Sequence, residues 1–399
     1  MKRNDPARVI AALVFLNALL ACAGSPEWTG SVEMRDGVEV VLNPDRPLLD
    51  DSQDLVTELW AVQGSDWTDP TRVHAASGIL TVVDPGENRF YVVTSSGEIR
   101  ESVGRQGGGP GEFLRMQDAF SHGQGFVVLD QGRSGLEYLD LKGRYVSSLH
   151  LEGSPWRGFP MEGGEILLVG DFREDPTEGT LGDWIRVEDD GKITPFIPQP
   201  LEPLPEEQGV ECSEISPWGG GAARLRFTTP QIEVFDPAGD LVMESWVDLP
   251  VEVVSEAERN QALSELRSRL AANGGPPEFL QQYVDVMEER WRVKCRFGPL
   301  RADPAGGLVA FLEENPDAFG SGNATLHFLS PEGVYLARAA FPTPWRDFTL
   351  EDGVIYALTR DPATDLITLR AYRADLPEAL FRDAAEALGG AREPTTGDR

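Results

Sequence analysis

Four glycines constrain this chain more than any other feature. Gly97, Gly143, Gly191 and Gly239 each close a short polar turn between strand-like runs, and they succeed one another at intervals of 46, 48 and 48 residues. Gly333 follows 94 residues later, close to two further intervals. Between the markers one plan recurs. Gly78–Asp84 is an apolar, β-branched run ending in Asp, Arg89–Thr94 is a second run, Ser95-Ser96-Gly97 is a turn, and Ile99–Val103 is a third run. The plan returns in Gly125–Asp130 with Leu136–Asp140 and Tyr145–Leu149, in Gly164–Gly170 with Trp184–Val187, and in Leu225–Thr228 with Ile232–Asp236. Such a unit is too small to bury its own sheet and must stack on its copies.

A period in the forties with about four short strands per unit is the signature of β-propeller blades. After the break, Gly306–Leu312 with Ala324–Leu329 and Gly353–Thr359 with Leu366–Tyr372 restore the pattern, which brings the count to six. The last unit lacks its outer strand. Leu55–Val62, upstream of the first complete unit, is the segment that can supply it, closing the ring and removing an exposed edge. The double interval before Gly333 holds helical character instead of a blade. Ser255 and Glu258 form a capping box, and Ala262, Leu263, Leu266 and Leu270 fall at helical spacing. Asn273-Gly274-Gly275-Pro276-Pro277 then breaks this helix from a second one. The fold expected is therefore all-β, a six-bladed β-propeller over 52–386 with an inserted helical pair at 255–292. A hairpin around Asp36-Gly37 precedes it, a helix over Pro377–Leu388 ends it, and a polar tail spans 387–399.

The N-terminus sets the compartment. Met1-Lys2-Arg3 and Arg8 are followed by the apolar run Val9–Leu20, too short to span a bilayer and of the form of a signal-peptide core. It ends in Leu19-Leu20-Ala21-Cys22, which resembles a bacterial lipobox. That resemblance implies a lipoprotein signal peptide over 1–21, acylation of Cys22, and a lipidated tether and hairpin over 22–51. A plain secretory signal cut nearby is the alternative. Ala23 after the cysteine implies sorting to the outer membrane. With Cys22 acylated, Cys212 and Cys295 are the remaining pair in an oxidising compartment. Bonded, they close a loop of 83 residues, a constraint on the unfolded chain of about 4 kcal/mol at most; unbonded, they are two separate thiols. A formal net charge of −31 repels phosphate backbones, so nucleic acid is excluded as an expected partner.

Gly104–Phe113 holds five glycines and a proline within ten residues, which neither a helix nor a strand interior accommodates. It is a connection, from the outer strand of the first complete blade to Gly125–Asp130, read as the inner strand of the second. Its segment Gly109-Pro110-Gly111-Glu112-Phe113 resembles the joint between NHL repeats, in which a strand-ending Asp, here Asp84 and Asp130, precedes the next strand. The whole chain also resembles six-bladed propeller lipoproteins of Gram-negative envelopes. Both resemblances speak to fold more than to activity.

Chemistry is sparsely signalled. The chain has no Gly-x-Ser-x-Gly, its glycine-rich turn lacks the Lys and helix of a phosphate loop, and no cofactor motif occurs. His74, His122, His150 and His327 are scattered without ligand spacing, as expected of packing or surface residues. Asp84 and Asp130 can either hold a cation in a channel or bond turn amides. One cationic cluster interrupts the acidic background: Arg290, Arg292, Lys294 and Arg296 alternate with apolar residues, so an extended strand places all four on one face. Arg224 and Arg226 alternate likewise on another blade. These arginines form either a patch for a carboxylate, uronic acid or phosphate ligand or a solvated face balanced by Glu288 and Glu289. The function expected is a lipid-anchored envelope module that binds a glycan, peptide or protein partner. The alternative is a metal-dependent, lactonase-like hydrolase or lyase with its site in the central channel.

Overall fold

The computed structural model describes residues 28–49, 55–172 except 124, 183–196, 213–226, 229–250, parts of 255–268, 297–303, 307–314, 324–361 and 363–392. Among the described residues, twenty-six strands build six sheets, antiparallel except for one parallel pair. Blade 1 is β4 (Arg72–Ala76), β5 (Ile79–Asp84), β6 (Arg89–Thr94) and β7 (Ile99–Val103), in that order. Blade 2 is β8 (Met116–His122), β9 (Gly125–Asp130), β10 (Gly135–Asp140) and β11 (Tyr145–His150). Blade 3 is β12 (Ser154–Pro160), β13 (Ile166–Asp171), β14 (Asp183–Val187) and β15 (Ile193–Pro195). Blade 4 is β16 (Ser213–Trp218), β17 (Gly221–Arg226), β18 (Gln231–Phe235) and β19 (Leu241–Val247). Blade 5 is β20 (Phe297–Ala302), β21 (Val309–Glu314), β22 (Ala324–Leu329) and β23 (Tyr335–Phe341). Blade 6 is β24 (Trp345–Glu351), β25 (Val354–Arg360), β26 (Ile367–Ala374) and, from the other end of the chain, β3 (Val56–Val62).

The closing strand is thus the one the sequence offered, paired antiparallel from Leu369↔Val62 to Ala374↔Val56. One assignment is corrected. Gly125–Asp130 is the second strand of its blade; the innermost is β8, and a corresponding innermost strand precedes each second strand around the ring. These inner strands escape detection because they carry charged and polar residues where a buried strand is normally apolar.

The marker glycines lie at the seams between blades. All five have positive φ: 86° at Gly97, 66° at Gly143, 82° at Gly191, 88° at Gly239 and 84° at Gly333. The turns of Gly97, Gly143, Gly191 and Gly333 lie against the outer strand of the preceding blade. A Cβ on Gly97 would stand 2.9 Å from the Trp60 ring, one on Gly143 2.7 Å from Val103 Cγ1, and one on Gly333 3.0 Å from Ser245 Cβ. The period therefore records a steric requirement as well as a turn.

The outer strands share a second irregularity. The register shifts by one residue at Arg100, Val146, Val242, Leu336 and Leu59, placing a β-bulge at the same point of five blades. Three of the exposed large apolar residues, Leu59, Val146 and Val242, are these bulge residues.

Accessory elements pack on one side of the ring. The hairpin β1 (Ser31–Arg35) and β2 (Val38–Asn43) forms around Asp36-Gly37, both with positive φ, and β2 adds to the rim of blade 4 in parallel with β19. Asn43 fastens it: the side-chain amide donates to Ser245 Oγ (3.1 Å) and the Gly333 carbonyl (2.9 Å), while its oxygen accepts from Trp28 Nε1 and the Tyr335 amide. The helix α1 (Glu378–Arg392) continues beyond the expected Leu388 into the polar tail; it buries Leu380, Ala384 and Leu388 and ion-pairs Arg392 with Glu39 of β2. Of the insertion expected at 255–292, the described residues between Glu256 and Ser268 are helical, with Leu263 buried. The rest of it, the signal sequence, Cys22, Cys212, Cys295, Arg290, Arg292, Lys294 and Arg296 lie outside the described residues.

Gly143→Ala tests the seam. It combines the positive-φ penalty with the contact on Val103 and should lower unfolding free energy by roughly 1–3 kcal/mol. Gly353→Ala, also at positive φ but with no atom within 4 Å of the added carbon, should lose distinctly less. Equal losses in denaturant titrations would show that the contact is immaterial.

Candidate functional site: the channel and its ionic ring

The six inner strands line the axis of the molecule, and each contributes one charged residue to a single cluster. In blade order these are Arg72, Asp118, Arg157, Glu214, Arg301 and Asp347, so the sign alternates around the ring. Arg157 reaches Asp347 at 2.9 Å and Glu214 at 3.2 Å; Arg301 reaches Glu214 at 2.7 Å and Asp347 at 2.5 Å. Arg72 lies 3.3 Å from Asp118, which also accepts from His74 Nε2 at 2.8 Å. Main chain completes the set: Gly158 N donates to Asp118, Val73 N donates to Asp347, and Arg301 Nε donates to the Phe348 carbonyl. Beneath the guanidinium groups, Phe159 lies 5.3 Å from Arg157 and 5.5 Å from Arg301, and Phe348 lies 5.7 Å from Arg301.

β-Bulges aim these side chains. The register shifts between Met116 and Asp118, Pro155 and Arg157, and Trp345 and Asp347, so the ring residue follows a bulged Gln117, Trp156 or Arg346. Bulges commonly re-aim a side chain in this way.

The carboxylates of the ring are each balanced by arginines. Burial alone would push the Asp118 carboxyl up, but His74 and the Arg72 guanidinium outweigh it and hold the group well below the usual carboxylate range. Burial is likewise outweighed at Asp347, by Arg157 and Arg301. The Arg157 guanidinium is raised above its ordinary value, because Asp347, Glu214 and Asp118 overcome its desolvation. A divalent cation does not fit this donor set. Every ring carboxylate already faces at least one guanidinium, and among the described residues no three His, Cys, Asp or Glu side chains converge as metal ligands. Asp84 and Asp130 do not line the channel. Asp84 accepts from the amides of Thr68 and Asp69, and Asp130 from those of Leu114, Arg115 and Gly132, so they fasten the connections into the inner strands.

The two faces of the ring differ. Strand directions place the connections between blades, and between second and third strands, on the face where the inner strands begin. Within and between the blades, the strand ends that flank the longer links, 63–71, 104–115, 172–182, 196–212, 248–296 and 315–323, all lie on this loop face. Within the blades, the links on the opposite, turn face are short, the longest being 303–308; the link from β2 to β3 also runs to this face, where Leu48 and Leu49 bond to Tyr335 and Leu336.

The glycine-rich connection lies on the loop face. Phe113 is fully buried between blades 1 and 2, against Gly104, whose φ is 94° and where a Cβ would stand 2.4 Å from the Phe113 ring. Glu112 accepts from Gly109 N and from Arg105, and Arg133 Nη2 donates to the Gly109 carbonyl. Gly109, Pro110, Gly111, Glu112 and Phe113 thus form a self-bonded joint, with Arg105 paired to Glu112. The supposed partners of the cationic patch are interior. Arg224, with 2% side-chain exposure, and Arg226 both pair with Glu233, and Arg224 lies 5.5 Å from the Trp184 ring. The histidines are packing residues where buried: His74 in the ring, and His327 between Tyr335 OH and Glu313, both at 2.7 Å.

Removing one ring carboxylate should be costly, because it leaves buried guanidinium charge uncompensated. Asp347→Asn is expected to lower unfolding free energy by about 3–5 kcal/mol, read from denaturant midpoints. The pH dependence follows from the depressed carboxyls. The stability Asp118 and Asp347 contribute is present above their unfolded value of about 4 and is lost as pH falls through the lower folded values. Wild-type midpoints should fall below about pH 4, and Asp118→Asn should flatten that fall. An identical acid profile in the variant would contradict the assignment.

Comparison with known proteins agrees with the architecture. Residues 66–167 match the family model DUF5128, described as a 6-bladed beta-propeller. A search of curated proteins gave no match. Among solved structures, a Bacteroides fragilis NCTC 9343 protein described as exported aligns with a TM-score of 0.53 at 11% identity, over 84% of this chain and 99% of its own. A DUF4221-family member from Bacteroides vulgatus ATCC 8482 aligns with a TM-score of 0.51 at 9% identity, over 81% and 98%. A gluconolactonase from Xanthomonas campestris gives a TM-score of 0.43 at 12% identity, over 79% and 89%. At these identities the likeness is one of fold, and the fold is the six-bladed β-propeller.

Proposed function

We propose that this protein is a lipid-anchored propeller of the bacterial envelope that binds a glycan, peptide or protein partner through its loop face, with blades of the NHL type. The observation carrying this reading is the charge-balanced ring. A channel whose carboxylates are all committed to arginines offers no site for the cation that a lactonase-like hydrolase would need. Recognition is left to the long connections gathered on one face, the usual place for it on a rigid β scaffold. Export is supported by the Leu19-Leu20-Ala21-Cys22 signal and by the exported description of the Bacteroides fragilis structure. Cys22 carries the lipid in this reading, with sorting to the outer membrane. Cys212 directly precedes β16 and Cys295 lies two residues before β20. These neighbouring inner strands are joined by the Glu214–Arg301 pair, which supports a Cys212–Cys295 disulfide.

Mass spectrometry of the mature protein should find an acylated N-terminal Cys22 and no free thiol at Cys212 or Cys295. Affinity capture from envelope extract should recover a partner with the full chain and lose it when the 104–112 and 255–292 segments are replaced by short linkers. Stoichiometric calcium or zinc in the purified protein, together with hydrolysis abolished by chelation, would overturn the binding reading in favour of an enzyme.

A further inference from the structure

The ring is neutral as a whole but not layered evenly. Its deep members are Asp118, Asp347 and Arg301, with side-chain exposures of 0%, 1% and 5%. Its shallow members are Arg72 at 18%, Arg157 at 14% and Glu214 at 13%. Arg346, outside the ring at the loop-face end of β24, adds a further arginine at 19%, paired with Asp69. Arg346 also shows which way this layer faces, since it donates to Asp69 and the Pro70 carbonyl of the loop-face connection 63–71. In a chain of net charge −31, a cationic layer at one channel mouth runs against the field of the whole molecule.

Arg72 and Arg157 are unevenly satisfied. Arg72 has one carboxylate, Asp118, which it shares with His74, and its second contact is the Trp156 carbonyl, the residue next to Arg157. Burial and the nearby Arg157 charge both disfavour the Arg72 guanidinium, against the pull of Asp118. Arg157 Nε is buried and has no hydrogen-bond partner. Two guanidinium groups held close together, one with a spare donor, are what an oxyanion completes.

We propose that the loop-face mouth of the channel is a binding site for a small anion, whose carboxylate or phosphate group lies against Arg72 of blade 1 and Arg157 of blade 3. This rests on the reading of the loop face as the binding face and gives that reading a ligand chemistry.

Isothermal titration of the full chain in detergent with sodium D-glucuronate and with inorganic phosphate, using D-glucose as the uncharged counterpart, tests the site. At least one anion should bind at low ionic strength and weaken as salt rises, while glucose gives no heat. Preference for glucuronate assigns the site to carboxylates, and preference for phosphate assigns it to phosphoryl groups. Arg72→Gln should weaken binding about tenfold, Arg72→Lys should restore part of it, and Arg370→Gln, on the blade 6 rim, should leave it unchanged. If Arg72→Gln does not fold, Arg346→Gln, outside the ring, should weaken binding about threefold through the lost field. No binding of either anion, equal binding of glucose, or unchanged affinity in the folded arginine variants would overturn the proposal. The titration needs neither membrane nor partner, so its failure is separable from failure of acylation or of capture.

Discussion

The structure depends on charge alternation around one axis. Each blade brings a single charged side chain to the channel, and the signs run plus, minus, plus, minus, plus, minus from Arg72 to Asp347. Taking six charges out of water is expensive, and a buried ion pair often does little better than a hydrophobic replacement. The value of the ring is therefore in specification more than in gross stability. Arg157 spans from blade 3 to blades 4 and 6, and Arg301 from blade 5 to the same two. A ring with one blade omitted or slipped would bring like charges into a low-dielectric interior, where their repulsion is severe.

This interaction was the part of the site least legible in the sequence. A repeat is recognised by the same residue returning at the same place, and the ring positions alternate between acid and arginine by necessity. The bulges at Gln117, Trp156 and Arg346 also destroy the two-residue alternation that marks a strand. A fainter signal was present: Met116-Gln117-Asp118, Pro155-Trp156-Arg157 and Trp345-Arg346-Asp347 each place an apolar residue two before a charge, shortly ahead of a clear strand. What was legible had a steric cause shared by all units. The turn glycines recur because they need positive φ and, at Gly97, Gly143, Gly191 and Gly333, face the preceding blade, and Asp84 and Asp130 recur because each fastens loop amides. The closing strand was legible because one blade came up a strand short while one strand stood unclaimed. Arg224 and Arg226 misled, since alternation with apolar residues places cations on one face without saying whether that face meets water or Glu233.

The termini are integrated rather than appended. The hairpin widens blade 4 to six strands, the Asn43 side chain ties it to blade 5, and α1 lies against it with Arg392 on Glu39.

The bulges of the outer strands have a colloidal consequence. Blades 1, 2, 3 and 6 end in strands that no further element pairs among the described residues, the kind of border on which sheets of separate molecules fuse; the border of blade 6 carries the bulge at Leu59. In blades 1 and 2 a bulge at Arg100 or Val146 turns the border out of plane, and in blade 3 the border strand is three residues long and ends in Pro195. Val146 looks sticky by composition, yet it sits where the border is twisted most. The same irregularity that exposes an oily side chain blunts the edge against strand addition from a neighbouring molecule.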